Sequence, residues 1–515
     1  MYTTPDEFKA RYATLQATFA SGKTKSVEWR KWQLKQFWWM MEDGEEALVA
    51  AMKGDLHRHP YESITVEIRA VKATVLEMLD HVEEWAKGEV PAAPGLLFRL
   101  MGKTWIRSEP YGVVMVIAAW NFALASLILP ALAAVAAGNC VVLKPAEGTA
   151  RTQNVLAELA NKYLDSEAIC AVTGGPQETA AMLEYKFNHI CFTGGSRVGR
   201  LVAMAAAKHL TPTILELGGQ APAIVTRSAD IELAAKRLAN TKLANGGQVC
   251  LCVNHVFVHP DIHDQFVQRT VYWLQQFLRE GTDQMARIVN EHHFDRVTGL
   301  LGKTEGTVVY GGDSDRTTRF VHPAVVTEVS VLDSLMSEEL FAPILPVIKA
   351  DVDAALATIT SMPHPLALYI FSRDRQEIDR ILDATNSGGV TVNDAMLHSA
   401  VPSVPFGGVG ESGHGAYGGK WGFDAFSHQR TVLFMGGSWV DKVLSMRYPP
   451  FNMANLKYLA LSKPKFRRGE AMAEQRRKQR GFPIGPLITL ILGGYLMRDY
   501  LGISTLINRI VERYP

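Results

Sequence analysis

His189-Ile190-Cys191-Phe192-Thr193-Gly194-Gly195-Ser196-Arg197-Val198-Gly199 passes from a short aliphatic strand, through two glycines, into the start of a helix. Such a turn lets the backbone approach a pyrophosphate, and the helix start supplies unpaired N–H groups and a favourable dipole. The spacing is not GxGxxG, so the pattern alone has modest specificity. Its surroundings carry more. Upstream, 112–118 and 140–143 are strand-like runs flanking an apolar helical segment, 126–137, that stops at Gly138-Asn139. Helices at 152–163 and 178–185 bracket a strand at 169–172; downstream, a helix over 198–209 leads to a strand at 213–215. Strands apolar on both faces, alternating with helices, predict a parallel sheet covered by helices.

The same texture returns over 218–400. Strands are expected at 223–225, 255–258, 346–349, 368–371 and 390–392, with helices at 262–278, 353–361 and 376–386 among them. Ahead of both lie four helical stretches, 6–20, 26–41, 45–52 and 63–85, whose aromatics Trp29, Trp32, Phe37, Trp38 and Trp39 are expected to pack the core. Residues 88–110 are richer in proline and glycine and are expected to form an extended connection or small ribbon. The chain has 515 residues and is 47% hydrophobic, enough for large cores and about two to four domains. Its net charge of +1 gives no global field toward nucleic acid, and no nucleic-acid-reading motif is present. Five scattered cysteines fit neither a disulfide framework nor a zinc site, so no metal is expected and a reducing compartment is the simple reading. The N-terminus lacks the apolar run of a secretory signal.

Ala244-Asn245-Gly246-Gly247-Gln248-Val249-Cys250-Leu251-Cys252 supplies a candidate nucleophile. A small, glycine-rich run bends tightly and leaves the Cys250 sulfur unshielded, and a reactive thiol needs partial access and an electropositive setting. Asn121, just beyond the 112–118 strand, either presents an amide donor at the strand end or caps the next helix. Lys144 and Glu147 close the next strand, where they suit the ribose hydroxyls of an adenine nucleotide; Glu147 would repel a 2′-phosphate, favouring NAD over NADP. Structurally, Pro145 ends that strand and Glu147 is solvated. Glu216, before Gly218-Gly219, reads as a general base or as a surface charge. Glu339 and Phe341 in 338–343, and 405–408, line a pocket or shape loops.

Taken in order, these motifs resemble the aldehyde dehydrogenase superfamily over most of residues 1–450. The resemblance is densest at 109–110, 120–121, 144–147, 192–199, 216–219, 247–250, 339–343 and 405–413. Residues 206–212, 365–369, 422–430 and 447–450 point to the class 3 and fatty aldehyde dehydrogenase branch. The resemblance implies an α/β fold of two parallel-sheet domains with a small bridging β-ribbon. The NAD-binding domain would be 1–85 and 107–217, the bridging segments 86–106 and 422–440, and the catalytic domain 218–421. It implies Cys250 as nucleophile, its own N–H and the Asn121 amide as oxyanion hole, and Glu216 as base for thioester hydrolysis. Lys144 and Glu147 would hold the adenosine ribose, Gly194, Gly195, Ser196, Val198 and Gly199 the pyrophosphate region, and Glu339 with Phe341 the nicotinamide end. The cofactor would be NAD, with NADP the alternative, and the assembly a homodimer. Two departures stand out: Gly195 where a serine or asparagine is usual, and Ala342 where glycine is usual. Cys252 has no family role and is read as packing.

The tail reads differently. Residues 441–480 form a linker in which 463–480 carry eight basic residues, and 482–497 hold no charge within a C-terminal segment, 481–515, read as membrane-associated. As a helix the uncharged run spans about 24 Å, short of a hydrocarbon core of about 30 Å. Spanning anchor, re-entrant segment, in-plane helix and a helix docked on a soluble body are the alternatives. With the catalytic part facing the cytosol, the endoplasmic reticulum and the mitochondrial outer membrane are both compatible. The expected function is oxidation of apolar medium- and long-chain aldehydes at a membrane surface. Apocarotenals or other polyprenoid aldehydes are the alternative substrates, and a non-enzymatic binding protein on a dehydrogenase fold is the rival of another class.

Overall fold

Two sheets carry the chain, and the way the first is wound explains where a cleft opens. The structure, a computed structural model, describes residues 2–92, 96–457, 468, 469, 471 and 472. The first sheet has six strands in the order Gly413–His414, Thr213–Glu216, His189–Thr193, Val113–Ile117, Cys140–Lys144, Ile169–Ala171. All neighbours are parallel except Gly413–His414, which closes the edge antiparallel beside Glu216. The chain winds outward from Val113–Ile117 to Ile169–Ala171 and then returns on the other side at His189–Thr193. Reversal of strand order opens a crevice beyond the carboxyl ends of the two strands that flank it. Those ends carry Asn121 and Gly194. The helix Ala125–Ala137 is apolar all round because it packs between sheet and neighbouring helices, and nearly every residue in it is buried.

Helices Pro5–Ser21, Val27–Asp43, Glu45–Leu56 and Arg69–Ala86 precede this sheet, and their apolar faces share its core. In Val27–Asp43 the inward stripe is Leu34, Phe37, Met40 and Met41. The tryptophans divide: Trp29 and Trp38 pack partly against the core, whereas Trp32 and Trp39 are 59% and 51% exposed. Core packing therefore fails for those two, which lie seven residues apart on the outer helical face.

The second sheet has seven strands in the order Gly389–Val392, Ala367–Phe371, Pro222–Val225, His255–Val258, Ile344–Lys349, Ala324–Thr327, Thr307–Tyr310. Only Thr307–Tyr310 pairs antiparallel. Side chains alternate between two faces: Ala223, Val225, Val256 and Val258 enter one core, and Ile224, Phe257, Ile344 and Ile348 the other. Strand Gly102–Pro110 pairs with Ser427–Met435 as a two-stranded ribbon, so the 88–110 stretch contributes a strand rather than a bare connection. The described residues up to 434 form one compact unit; the described part of the unit that begins at Met435 holds the helix Ser438–Val443 and a short turn after it, joined by an Arg447–Asp441 ion pair. Among the described residues no helix is long and apolar enough to cross a membrane. The apolar run at 482–497 and nearly all of the basic run lie outside the described residues.

Candidate active site

Helix Ile231–Leu243 ends in the turn Ala244–Gly247, where Asn245, Gly246 and Gly247 take φ of 47°, 63° and 73°. Consecutive left-handed residues reverse the chain at once and deliver Cys250 to the wall of a deep cleft. Gly247 is irreplaceable on two counts: its φ, and the Ala342 carbonyl oxygen that would lie 2.4 Å from an added Cβ. Ala342 itself keeps an ordinary φ while Phe341 takes the strained 51°, so alanine is accommodated at that position.

The cleft has a volume of about 2260 Å³ and runs from the carboxyl ends of the first sheet's strands to the loops that precede strands of the second. Cys250 lines it and is half-buried. Burial, with the Glu339 and Glu216 carboxylates, pushes the thiol up to about 12, against a partial offset from the Cys250 and Leu251 N–H groups. Cys252 lies in the core with its thiol donating to the Thr241 carbonyl at 3.2 Å.

Asn121 also lines the cleft and does not cap a helix. Its Nδ2 donates to the Gln248 carbonyl at 3.2 Å, which commits one amide proton and leaves the second for a ligand. Glu216 is not a surface charge. It is 2% exposed, neither carboxylate oxygen has a hydrogen-bond partner among the described residues, and burial raises its pKa well above the ordinary value. Glu339 rises to about 7 through burial, partly offset by the Gly219 N–H and by Arg296 and Lys242. A buried carboxylate with no partner, in a cleft beside a thiol, has the character of a general base.

Along the first sheet the cleft is lined by Lys144, Glu147, Gly194, Gly195, Ser196 and Val198. Lys144 is buried, with Nζ 2.9 Å from the Glu147 carboxylate and from the Pro145 carbonyl. The helix Ser196–Ala207 starts at Gly195 without a side-chain cap, and an added Cβ on Gly195 would meet nothing within 4 Å. Its first turn thus carries no side-chain cap at the cleft wall. Thr193 adds a buried hydroxyl with no partner among the described residues in the same wall. This cradle fits a dinucleotide: an anion site at a helix start, a ribose-binding pair and an orphaned hydroxyl. Gly199 stands apart. It does not line the cleft but lets the helix pack on Leu217, whose Cδ2 would sit 2.7 Å from an added Cβ. Phe341 and Trp120 meet edge to face at 5.3 Å, and both line the cleft beside Glu339. No group of three or more metal-ligating side chains occurs among the described residues.

Several cleft residues have no local signature in the sequence. Residues 394–404 line its mouth and include Met396 and Ser403 at positive φ. Tyr369 belongs to the 365–369 motif and does not line the cleft; it is 0% exposed and supports the wall from behind, its hydroxyl donating to the Leu251 carbonyl at 2.6 Å, directly after the nucleophile.

A nucleophile, an amide donor and a buried carboxylate facing a dinucleotide cradle define a cofactor-dependent oxidoreductase. The family to which the chain belongs is the aldehyde dehydrogenase family, whose sequence profile matches residues 2–432. The chain is 38% identical over 464 residues to aldehyde dehydrogenase family 3 member B1 of Rattus norvegicus, covering 89% of this chain and 98% of that one. It is 39% identical to family 3 member A2 of the same species, covering 85% and 90%. It is also 39% identical to the beta-apo-4'-carotenal oxygenase of Neurospora crassa, covering 91% and 89%. A solved Staphylococcus aureus AldH in a substrate-bound state superposes with a TM-score of 0.81 at 32% identity, covering 85% and 98%. The enzyme is an aldehyde dehydrogenase, and its relatives are class 3 members; the non-enzymatic alternative lapses.

Proposed function

We propose that the protein oxidises apolar medium- and long-chain aldehydes to carboxylic acids, through a thiohemiacetal and then a thioester on Cys250. The observation that carries the chemistry is the convergence of Cys250, Asn121 and Glu216 on one cleft. Attack on the aldehyde carbon forms the S–C bond, and the thiol proton passes to one of the flanking carboxylates, Glu216 or Glu339. The Cys250 N–H and the spare Asn121 proton stabilise the alkoxide where negative charge develops. Lys144, Glu147, Gly194, Gly195, Ser196 and Val198, with Glu339 and Phe341, would hold a nicotinamide dinucleotide, which would supply the acceptor for the hydride that leaves the aldehyde carbon as the thioester forms. Glu216, deprotonated, then takes a proton from the water that cleaves the thioester. The exposed Glu147 carboxylate supports NAD over NADP.

Exposed Val66, Leu397, Val401 and Val404 on the cleft wall support an apolar substrate chain. The name of the Neurospora crassa relative favours apocarotenals as the second reading. Residues 1–85 with 107–217 and residues 218–421 are read as the cofactor-binding and catalytic domains, and the ribbon segments 86–106 and 422–440 as the bridge of a homodimer. The basic run and the uncharged 482–497 support attachment to a cytosol-facing membrane surface. The test is a chain-length series of aldehydes with NAD and with NADP. kcat/KM is expected to climb from short to long chains with NAD preferred; a maximum at short polar aldehydes overturns the substrate reading.

A further inference from the structure

Arg58 and Glu67 form an ion pair at 1% and 0% side-chain exposure, away from any solvent that would reward the charges. Neither lines the cleft, and the chemistry above uses neither. Beyond the Met52 sulfur and the Phe122 ring, which Arg58 also touches, the contacts of the pair lead to the loops that carry the catalytic groups. Arg58 donates to the backbone carbonyl of Asn121 and, through Nε, to the Asn245 side-chain oxygen at 3.0 Å. The Asn245 amide donates to the Asn121 carbonyl at 3.1 Å and the Gln248 carbonyl at 3.0 Å. The second Glu67 oxygen accepts the Leu124 and Ala125 N–H groups, both at 2.9 Å, fixing the chain just after Asn121. The pair thus clamps two loops from different sheets: the one that ends in the amide donor and the one that ends in the nucleophile. A buried pair gives little net stability over an apolar replacement, so its retention calls for another benefit.

We propose that Arg58, paired with Glu67 and acting through Asn245, is a positioning residue that holds the Asn121 amide and the Cys250 N–H on one point. The inference rests on the roles proposed for Asn121 and Cys250. Arg58→Met alone would strand a buried carboxylate, so the pair is replaced together as Arg58→Met/Glu67→Gln. If that variant does not fold, Asn245→Gly keeps the left-handed turn and deletes the linking amide, and it answers the same question.

The experiment is a cycle with Asn121→Ala, reading kcat, KM for NAD and thermal stability of the full chain. Asn121→Ala should cost about 100-fold to 1000-fold in kcat, the loss of one oxyanion donor. The clamp variant should lose at least about 10-fold in kcat with KM for NAD unchanged. In the Asn121→Ala background it should cost less than about 3-fold more, because groups acting as a unit are not additive. Fully multiplicative losses, or an unchanged kcat in the folded clamp variant, overturn the positioning role. Full activity of Asn121→Ala instead overturns the oxyanion assignment beneath it.

Discussion

Two glycine turns serve the cleft, Gly194-Gly195 lining it and Gly246-Gly247 buried behind the wall that carries Cys250, and they work in opposite ways. At Gly194-Gly195 it is Gly195 that leaves room: its backbone is ordinary, with φ −76°, and the space beside it is empty, whereas Gly194 packs on the Phe192 ring. At Gly246-Gly247 the glycines are forced, by φ of 63° and 73° and by the Ala342 carbonyl against Gly247. The first turn is an open cradle for a ligand that comes and goes. The second is knotted by Asn245, Gln248 and Arg58 so that one sulfur is held still. Composition does not distinguish glycine kept for a visitor from glycine kept for a fixed conformation; the contacts do.

The largest expected effect lies on the knotted side. Cys250→Ala should remove aldehyde-dependent NADH formation by about 1000-fold or more with an unchanged melting profile. Retained turnover would move the nucleophile elsewhere.

Next is Gly247→Ala. A left-handed alanine costs about 1–2 kcal/mol, and the carbonyl clash adds to it. Stability should fall by about 3 kcal/mol or more in denaturant melts, with activity lost alongside. A near-neutral result would show that the turn can relax and that the two glycine pairs are alike.

The pH dependence separates site from scaffold. Glu216 must be deprotonated to act as base, and its raised pKa places the acid limb of kcat above the ordinary carboxylate range. For folding, a raised pKa means that the native state holds its proton more tightly than the unfolded chain, so stability is lost as pH rises through the folded value. Glu216→Gln should therefore lose turnover yet melt at a higher temperature at neutral pH. The scaffold shows the opposite slope. His189 and His255, one in each sheet, are held down to about 3, chiefly by burial. The unfolded state binds more protons below its own value near 6.5, so stability falls as pH drops from there toward 3, by about 1.4 kcal/mol per unit for each histidine. His189→Gln and His255→Gln should each flatten that slope in urea titrations.

The smallest effect belongs to the open turn. Gly195→Ser should leave stability within about 0.5 kcal/mol and lower KM for NAD only a few-fold, through one added hydroxyl. A large loss would mean that the cradle is as tightly built as its counterpart.

Much of the scaffold was legible because strand–helix alternation and apolar runs are local signals, and the ordered motifs from Asn121 to Phe341 pointed to the family. Glu216 shows the limit. A lone glutamate at a strand end reads as solvated, yet here Thr193 flanks it on one side and the Gly413–His414 edge strand, about two hundred residues on, covers the other. Gly199 shows another limit: its place in the motif suggests a ligand contact, and only the structure adds a packing reason for glycine there, the Leu217 side chain. Trp32 and Trp39 look like core in a one-dimensional pattern but fall on the outer face of their helix. Arg58 has no local signature at all, because its partners at 67, 121 and 245 meet only in three dimensions.

Glu216→Gln mixed with NAD and a long-chain aldehyde, then digested for peptide mass spectrometry, tests the nucleophile assignment most directly. The expected result is an acyl group on the peptide that contains Cys250, persisting because its hydrolysis is blocked. An unmodified Cys250 in a variant that still releases NADH, or an acyl group on another residue, would contradict it.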